Sequence, residues 1–334
     1  MTDFVTHSLL KTFRGCPRAA MYKYHDSLAP RALSKPLKRG TWLHALLEAY
    51  YLGEDWKAVH KHLSNKFSEL FDEEKDTLGD LPFEMLKLMR SYLWHYHNDA
   101  DWTVHEVEFK LEAELPNGIQ WQGKSDMLVE DNYGLWVVDH KSHQIIPSHT
   151  QRVLDQQSVL YLWACHQNKI PVKGFIWNYI RTNGPKPVLL TQKGVLRKNQ
   201  GVTDFPTAVL ELRRQGIDWR TDLNVKAFVE NLARQRFKEG RDQSSPFFIR
   251  TIMEKNDDMV KRALLEASHT AERFMDYPFE ERDAVERVPQ KSCDWCGFRN
   301  LCTTELTGGN TDILIRKEFT KEDPFGYYEP IGGE

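Results

Sequence analysis

Residues 123–141 read GKSDMLVEDNYGLWVVDHK, and the fold is decided there. Two runs with period-two patterning flank Asp131-Asn132-Tyr133-Gly134, a turn sequence, so the stretch predicts a hairpin. Each arm carries a carboxylate, Asp126 on the first and Asp139 at the end of the second. Residues i and i+2 of a strand face the same way, so Asp139 and Lys141 project together while His140 turns away. An antiparallel neighbour can bring Asp126 alongside Asp139. Two carboxylates so placed repel each other unless a cation lies between them, and oxygen ligands with open water positions suit Mg²⁺ or Mn²⁺. A metal there polarises a phosphodiester and generates hydroxide, with the Lys141 ammonium orienting water and offsetting transition-state charge.

Outward from the hairpin, period-two patterning covers 104–115, 119–129 and 135–139, with a turn at Pro116-Asn117-Gly118, an antiparallel meander. A helix is expected at 150–167, then a strand at 174–180 and a short one at 188–191. Upstream the period is helical: Ser8 caps 9–24, Thr41 opens 42–52, and further helices run over 56–71 and 83–96, with a Pro-rich basic loop at 29–40. Helices return over 193–285, broken at Gln243-Ser244-Ser245-Pro246. The stretch after Cys302 is rich in Gly, Pro and charge and carries no expected element.

A chain of 334 residues, 40% hydrophobic and 12% aromatic, can bury the core of one large domain or of a core with additions. Five cysteines are too few and too unevenly placed for a secreted disulfide framework, and no apolar run approaches a signal-peptide core or a membrane span. The expected location is the cytoplasm, where thiols bind metal. A net charge of −3 decides nothing about nucleic acid, because a phosphate groove needs local positive charge. Residues 1–42 carry eight Lys/Arg against two acids and 193–241 eleven against six, which suits a DNA groove or a solvated helix face.

Cys293, Cys296 and Cys302 read C-x2-C-x5-C, and thiolates at such spacing converge on one metal centre once a fourth ligand arrives; Cys16 is the obvious fourth. Spacing alone leaves zinc and iron–sulfur open. Cys165 stands apart and reads as a buried small hydrophobe. Residues 118–125, GIQWQGKS, match the P-loop pattern, but a hairpin turn precedes them and a strand follows, where a P-loop follows a strand and opens a helix. His60/His62 and His95/His97 are two apart on helices, poor metal clamps that read as surface residues.

Gly40-x3-His44, Gly123-x2-Asp126, Asp139-x-Lys141 and Gln157-x3-Tyr161 occur in that order, the last pair on one face of the helix after the meander. In this order they resemble the PD-(D/E)XK nuclease superfamily, specifically its RecB-like branch. Its iron–sulfur members, among them the AddB nuclease domain and CRISPR-associated RecB-like exonucleases, have one cysteine before the catalytic region and C-x2-C-x5-C after it, as here. The resemblance covers roughly residues 6 to 302.

What the resemblance implies is an α/β core, a mixed sheet flanked by helices, with helical N- and C-terminal additions closed by an iron–sulfur cluster. It implies one domain over 1–302, with its core at about 39–191, a helical extension at about 193–285 and a tail at 303–334. His44, Asp126 and Asp139, with the backbone carbonyl of His140, would ligate Mg²⁺ or Mn²⁺; Lys141 would activate or position water; Gln157 and Tyr161 would pack beside the site, contacting nucleic acid or orienting the lysine. Cys16, Cys293, Cys296 and Cys302 would hold a 4Fe–4S cluster stapling the two ends. The implied activity is a DNA exonuclease on ends or single strands in recombination, repair or phage DNA processing, with a helicase or recombinase as a partner in trans. The alternatives are a non-cutting DNA-binding or assembly subunit of the same fold and an RNA-directed nuclease.

Overall fold

Period-two alternation over 103–143 becomes three long strands, and the rest of the chain is arranged around them. A computed structural model describes residues 3–32, 34–96, 102–235 and 245–326. The chain enters through β1 (Phe4–Thr6), α1 (His7–Gly15), α2 (Pro17–Ala20), a π-helical turn at Met21–His25 and β2 (Leu28–Pro30). Helices α3 (Lys35–Tyr51), α4 (Trp56–Ser68), α5 (Asp72–Leu78) and α6 (Leu81–His95) follow. The meander is β3 (Thr103–Glu114), β4 (Gln120–Asp131) and β5 (Gly134–His143), succeeded by α7 (His149–Leu154), α8 (Gln156–Gln167) and β6 (Val172–Arg181). Then come α9 (Phe205–Arg214), α10 (Leu223–Gln235), β7 (Phe248–Met253) and α11 (Asp257–Met275). Last are α12 (Arg299–Leu306), α13 (Thr311–Glu318) and β8 (Phe319–Lys321).

The main sheet is mixed. Strand β4 is antiparallel to β3 and β5, β6 is parallel to β5, β7 is antiparallel to β6, and β1 lies parallel to β4. One face packs under α1, α8 and α11 with Trp121, Leu128, Val137, Phe175 and Trp177. The other meets α3, and carries Met127, Val129, Trp136, Val138 and Ile176. A mixed sheet between helices is the expected α/β architecture.

Local chemistry moved several boundaries. Thr6, not Ser8, caps the first helix, its hydroxyl accepting from the Leu9 N–H at 3.1 Å. That helix stops at Cys16, whose extended backbone precedes Pro17, because the residue before proline is disfavoured in α geometry. Helix α3 starts at Lys35, with Pro36 in its first turn, so much of the expected 29–40 loop is helical and Gly40 lies within α3. The 150–167 helix is two helices, interrupted at Asp155, which caps α8 by accepting from the Gln157 N–H at 2.8 Å. The 188–191 strand reduces to one bridge, Leu190 to Leu196.

Two larger corrections concern the later chain. Strand β7 lies inside the stretch expected to be helical, just after the polar break; Gln243 and Ser244 fall outside the described residues, as does His97. After Cys302 the described residues carry the end of α12, then α13 and β8, which pairs antiparallel with β2. Residues 120–125 lie on β4, with their backbone engaged along β3, which is not a phosphate loop. No helix among the described residues is long and apolar enough to cross a membrane.

Gly123 explains why its motif needs glycine. A Cβ there would lie 2.2 Å from the Trp121 ring, which is fully buried and packs edge-on against Tyr161. Gly123→Ala is expected to destabilise the chain by roughly 1–3 kcal/mol, since a buried indole cannot retreat without overpacking its neighbours. Denaturant unfolding of the variant beside wild type measures it, and equal midpoints would refute it.

Candidate active site

Ladder pairing between β4 and β5 runs from Asp131 and Gly134 to Met127 and Val138, and stops. The next residue on each strand is Asp126 and Asp139. From there β4 stays with β3 as far as Gln120 while β5 stays with β6 as far as His143, so the sheet forks at the two carboxylates. Strand β1 takes up the vacated edge of β4 at Gln120–Gln122, and α1 springs from the fork. The fork frees backbone groups that a continuous ladder would consume. The His140 N–H donates to Asp126 Oδ2 at 2.5 Å, a carboxylate replacing a strand partner.

Helices bring in the other groups. His44, on α3, places Nδ1 3.2 Å from Asp126 Oδ1. Lys141 Nζ lies 2.6 Å from Asp139 Oδ2 and above the Trp177 ring, as same-face projection requires. Gln157 and Tyr161, one turn apart on α8, divide their work between the prongs. Gln157 Nε2 donates to Asp139 Oδ1 at 2.9 Å on β5, while the Tyr161 hydroxyl accepts from the Lys124 N–H at 3.0 Å and donates to its carbonyl at 2.7 Å on β4. Helix α8 therefore fixes how far the fork opens.

The His140 side chain turns to the opposite face, as expected. It stacks on Tyr51 and accepts at Nδ1 from Asn178 Nδ2 at 2.7 Å, while the second Asn178 amide hydrogen goes to the Tyr92 hydroxyl at 2.7 Å. Burial pushes its pKa down to about 3, so the ring is neutral, and only its backbone faces the fork.

Charges in the fork are strongly coupled. Asp126 and burial act on His44 in opposite senses, and the carboxylate prevails, raising the imidazole to about 9. Burial alone would raise Asp126, but the facing His44 imidazolium holds it well below the usual carboxylate range. Asp139 is pushed up to about 6 by burial, opposed by Lys141. Burial works against the Lys141 charge, yet Asp139 and Asp126 outweigh it and raise the ammonium above its ordinary value. Glu48, one turn beyond His44, is raised by burial and by the nearby Glu108 carboxylate.

Glu108 is absent from the motif reading. It sits on β3 opposite Asp126, and one ligand atom each from His44, Glu108 and Asp126 lie within 4.8 Å of one another. Its acidic neighbours Glu106, Glu112 and Glu114 recur along the same strand, so sequence gives it no distinguishing mark.

The cysteines lie where the two ends of the chain meet. Cys16 occupies the break after α1, Cys293 and Cys296 belong to a short 3-10 turn and its end, and Cys302 is on α12. Cys296 is raised by burial and by the proximity of Cys16, Cys293 and Cys302, and Arg287 bonds Cys302. Around them Arg18 and Arg287 pair with Glu305 at 2.8 and 2.9 Å, and Gln290 Nε2 donates to the Gly15 carbonyl at 3.1 Å. Cys165 is fully buried, and burial drives its thiol up to about 12.

A forked mixed sheet with one carboxylate on each prong, a lysine two residues beyond the second and an imidazole from a helix defines a class of phosphodiester-cleaving nucleases. The chain belongs to the PD-(D/E)XK nuclease superfamily, whose model matches residues 5–303. Among solved structures it is similar to a protein described as "Putative exonuclease" from Eubacterium rectale, 13% identical, covering 88% of this chain and 92% of that one with a TM-score of 0.42. It is also similar to SSO0001, 12% identical, covering 90% and 86% with a TM-score of 0.35. No curated protein matches the chain.

Nucleases of this superfamily use divalent metals, and the donor set fits one: an imidazole and carboxylates converging where like charges would otherwise repel. A metal at His44 must displace the proton that Asp126 stabilises there. With His44 raised to about 9, it is protonated at neutral pH and free above that value, so affinity should rise with pH through the range 7 to 9. Calorimetric titration with Mn²⁺ in two buffers of different ionisation enthalpy is expected to show release of about one proton per site at pH 7. No proton release would show that His44 takes no part.

Proposed function

We infer that the chain is a metal-dependent deoxyribonuclease of the RecB-like iron–sulfur branch, acting on DNA ends or single strands. The observation carrying the reading is the strand fork itself, which sets Asp126, Asp139 and Lys141 beside one another with the lysine charged. His44 and Asp126 would hold the divalent ion, and the motifs add Asp139 and the His140 carbonyl. Bound there, a divalent ion supplies Lewis-acid polarisation of the phosphodiester and acidifies water.

The protein's own groups do the rest. Asp139 and Asp126 favour the charged form of Lys141, which suits a group that positions the attacking water and offsets charge on the developing oxyanion. Gln157 holds Asp139, and thereby Lys141, in place; Tyr161 holds the prong bearing Asp126. Both motif residues are positioning residues in this reading, a narrower role than contacting nucleic acid. Lys141→Ala is expected to lower Mg²⁺- or Mn²⁺-dependent release of nucleotides from end-labelled single- and double-stranded DNA by roughly 10²–10³-fold. A wild type that binds DNA without cutting would favour the non-cutting assembly subunit, and release from RNA alone would favour the RNA-directed reading.

Cys16, Cys293, Cys296 and Cys302 would hold a 4Fe–4S cluster, a reading supported by the proximity of the Cys16, Cys293 and Cys302 thiols to Cys296, with Arg287 beside Cys302 to offset thiolate charge. The cluster's part is structural, closing the C-terminal segment over α1 and α2. Protein purified without oxygen is expected to contain iron and sulfide in equal amounts, about four of each per chain, and Cys296→Ser to lose both. Stoichiometric zinc without sulfide would overturn the assignment.

A further inference from the structure

The motifs leave one nearby carboxylate unused. One ligand atom each from Glu108, His44 and Asp126 lie within 4.8 Å of one another, and Glu108 belongs to none of the motifs.

Glu108 reaches that position through an unusual backbone. Its φ is +54°, left-handed for a residue with a long side chain, in the middle of a twelve-residue strand. Such a conformation costs on the order of 1–3 kcal/mol and persists only where its surroundings enforce it. Here it turns the strand over. Val107 and Phe109 are two apart and would share a face, yet Val107 packs with Met127 and Trp136 on one side and Phe109 with the α1/α8/α11 core on the other. Strand β4 turns over in step, with Trp121 and Met127 on opposite faces, so Glu108 and Asp126 occupy matching irregular positions on adjacent strands. The Glu108 carboxylate is held by Lys124 Nζ at 2.6 Å, an ammonium lying where negative charge from Glu108 and Asp126 accumulates.

We propose that Glu108 is a direct ligand of the divalent ion together with His44 and Asp126. A carboxylate from β3 thus completes the metal centre, and Lys124 occupies Glu108 until the ion displaces it. The assignment rests on reading this fork as the metal centre, but its test needs no catalysis.

Mn²⁺ binding to the full chain, followed by the paramagnetic resonance of free Mn²⁺, separates the possibilities. Glu108→Gln is expected to weaken binding at least tenfold, a typical cost of disturbing a metal's immediate surroundings. Lys124→Met is expected to strengthen it by removing the competing cation. Glu108→Asn, which tolerates the left-handed backbone, is the second variant if Glu108→Gln does not fold, with the same loss expected. Wild-type Mn²⁺ affinity in either folded Glu108 variant would overturn the proposal. Wild-type protein that binds Mn²⁺ through Glu108 but cuts no nucleic acid would leave the ligand assignment standing and sink the nuclease reading instead.

Discussion

Everything at the site depends on a ladder that stops. Antiparallel strands bury their polar backbone by pairing continuously, and β4 and β5 do so until Met127 and Val138. Had they continued, backbone partners would have claimed the His140 N–H, and Asp126 and Asp139 would have been squeezed together across a closed sheet. Divergence at that point converts a structural edge into a cleft, and the groups that make the cleft tolerable are those that define it chemically. Asp126 takes the orphaned amide, Lys141 neutralises Asp139, and α8 ties one prong with Gln157 and the other with Tyr161.

The fork also explains the folding of residues distant in sequence. Strand β1 fills the edge of β4 that β5 abandons, which sends α1 out across the sheet and leads within ten residues to Cys16. Arg18, Tyr22 and Asp26 then pair with Glu305 and Arg282, so the catalytic sheet and the cysteine-bearing segments form one continuous network. Burial of Arg18 at 1% exposure makes this joint intolerant of substitution, because a guanidinium at that depth depends on Glu305 and the Val285 carbonyl.

Much of this was legible in sequence, for definite reasons. Strands β3 to β5 announce themselves because half-buried antiparallel strands must alternate, and Asp139 and Lys141 share a face by the same geometry. Gln157 and Tyr161 were readable as one helical face, although which prong each would grip was not. The omissions have equally definite causes. Strand β1 is three residues long, too short for periodicity to register, and β7 pairs only with β6, so its pattern is weak. Helix α3 was placed late because proline and basic residues before Gly40 resemble a loop, whereas proline suits a helix's first turn. Glu108 could not be found at all, since its position follows from a left-handed backbone angle that no residue type at 107–109 advertises.

The pairing of the first thirty residues has a consequence for how the protein is made. Partners of Arg18, Tyr22 and the strand β2 lie between residues 282 and 321, so a nascent chain exposes its early segment long before those partners leave the ribosome. During that interval His44, Asp126, Asp139 and Lys141 have all been synthesised, but the segment bearing β1 and α1 is anchored at one end only. A prematurely terminated product ending near residue 280 would carry every motif residue of the catalytic set, with β1 and α1 docked but Arg18, Tyr22 and β2 lacking their partners. Quality control of translation therefore bears directly on a protein whose completed site is built to break phosphodiesters.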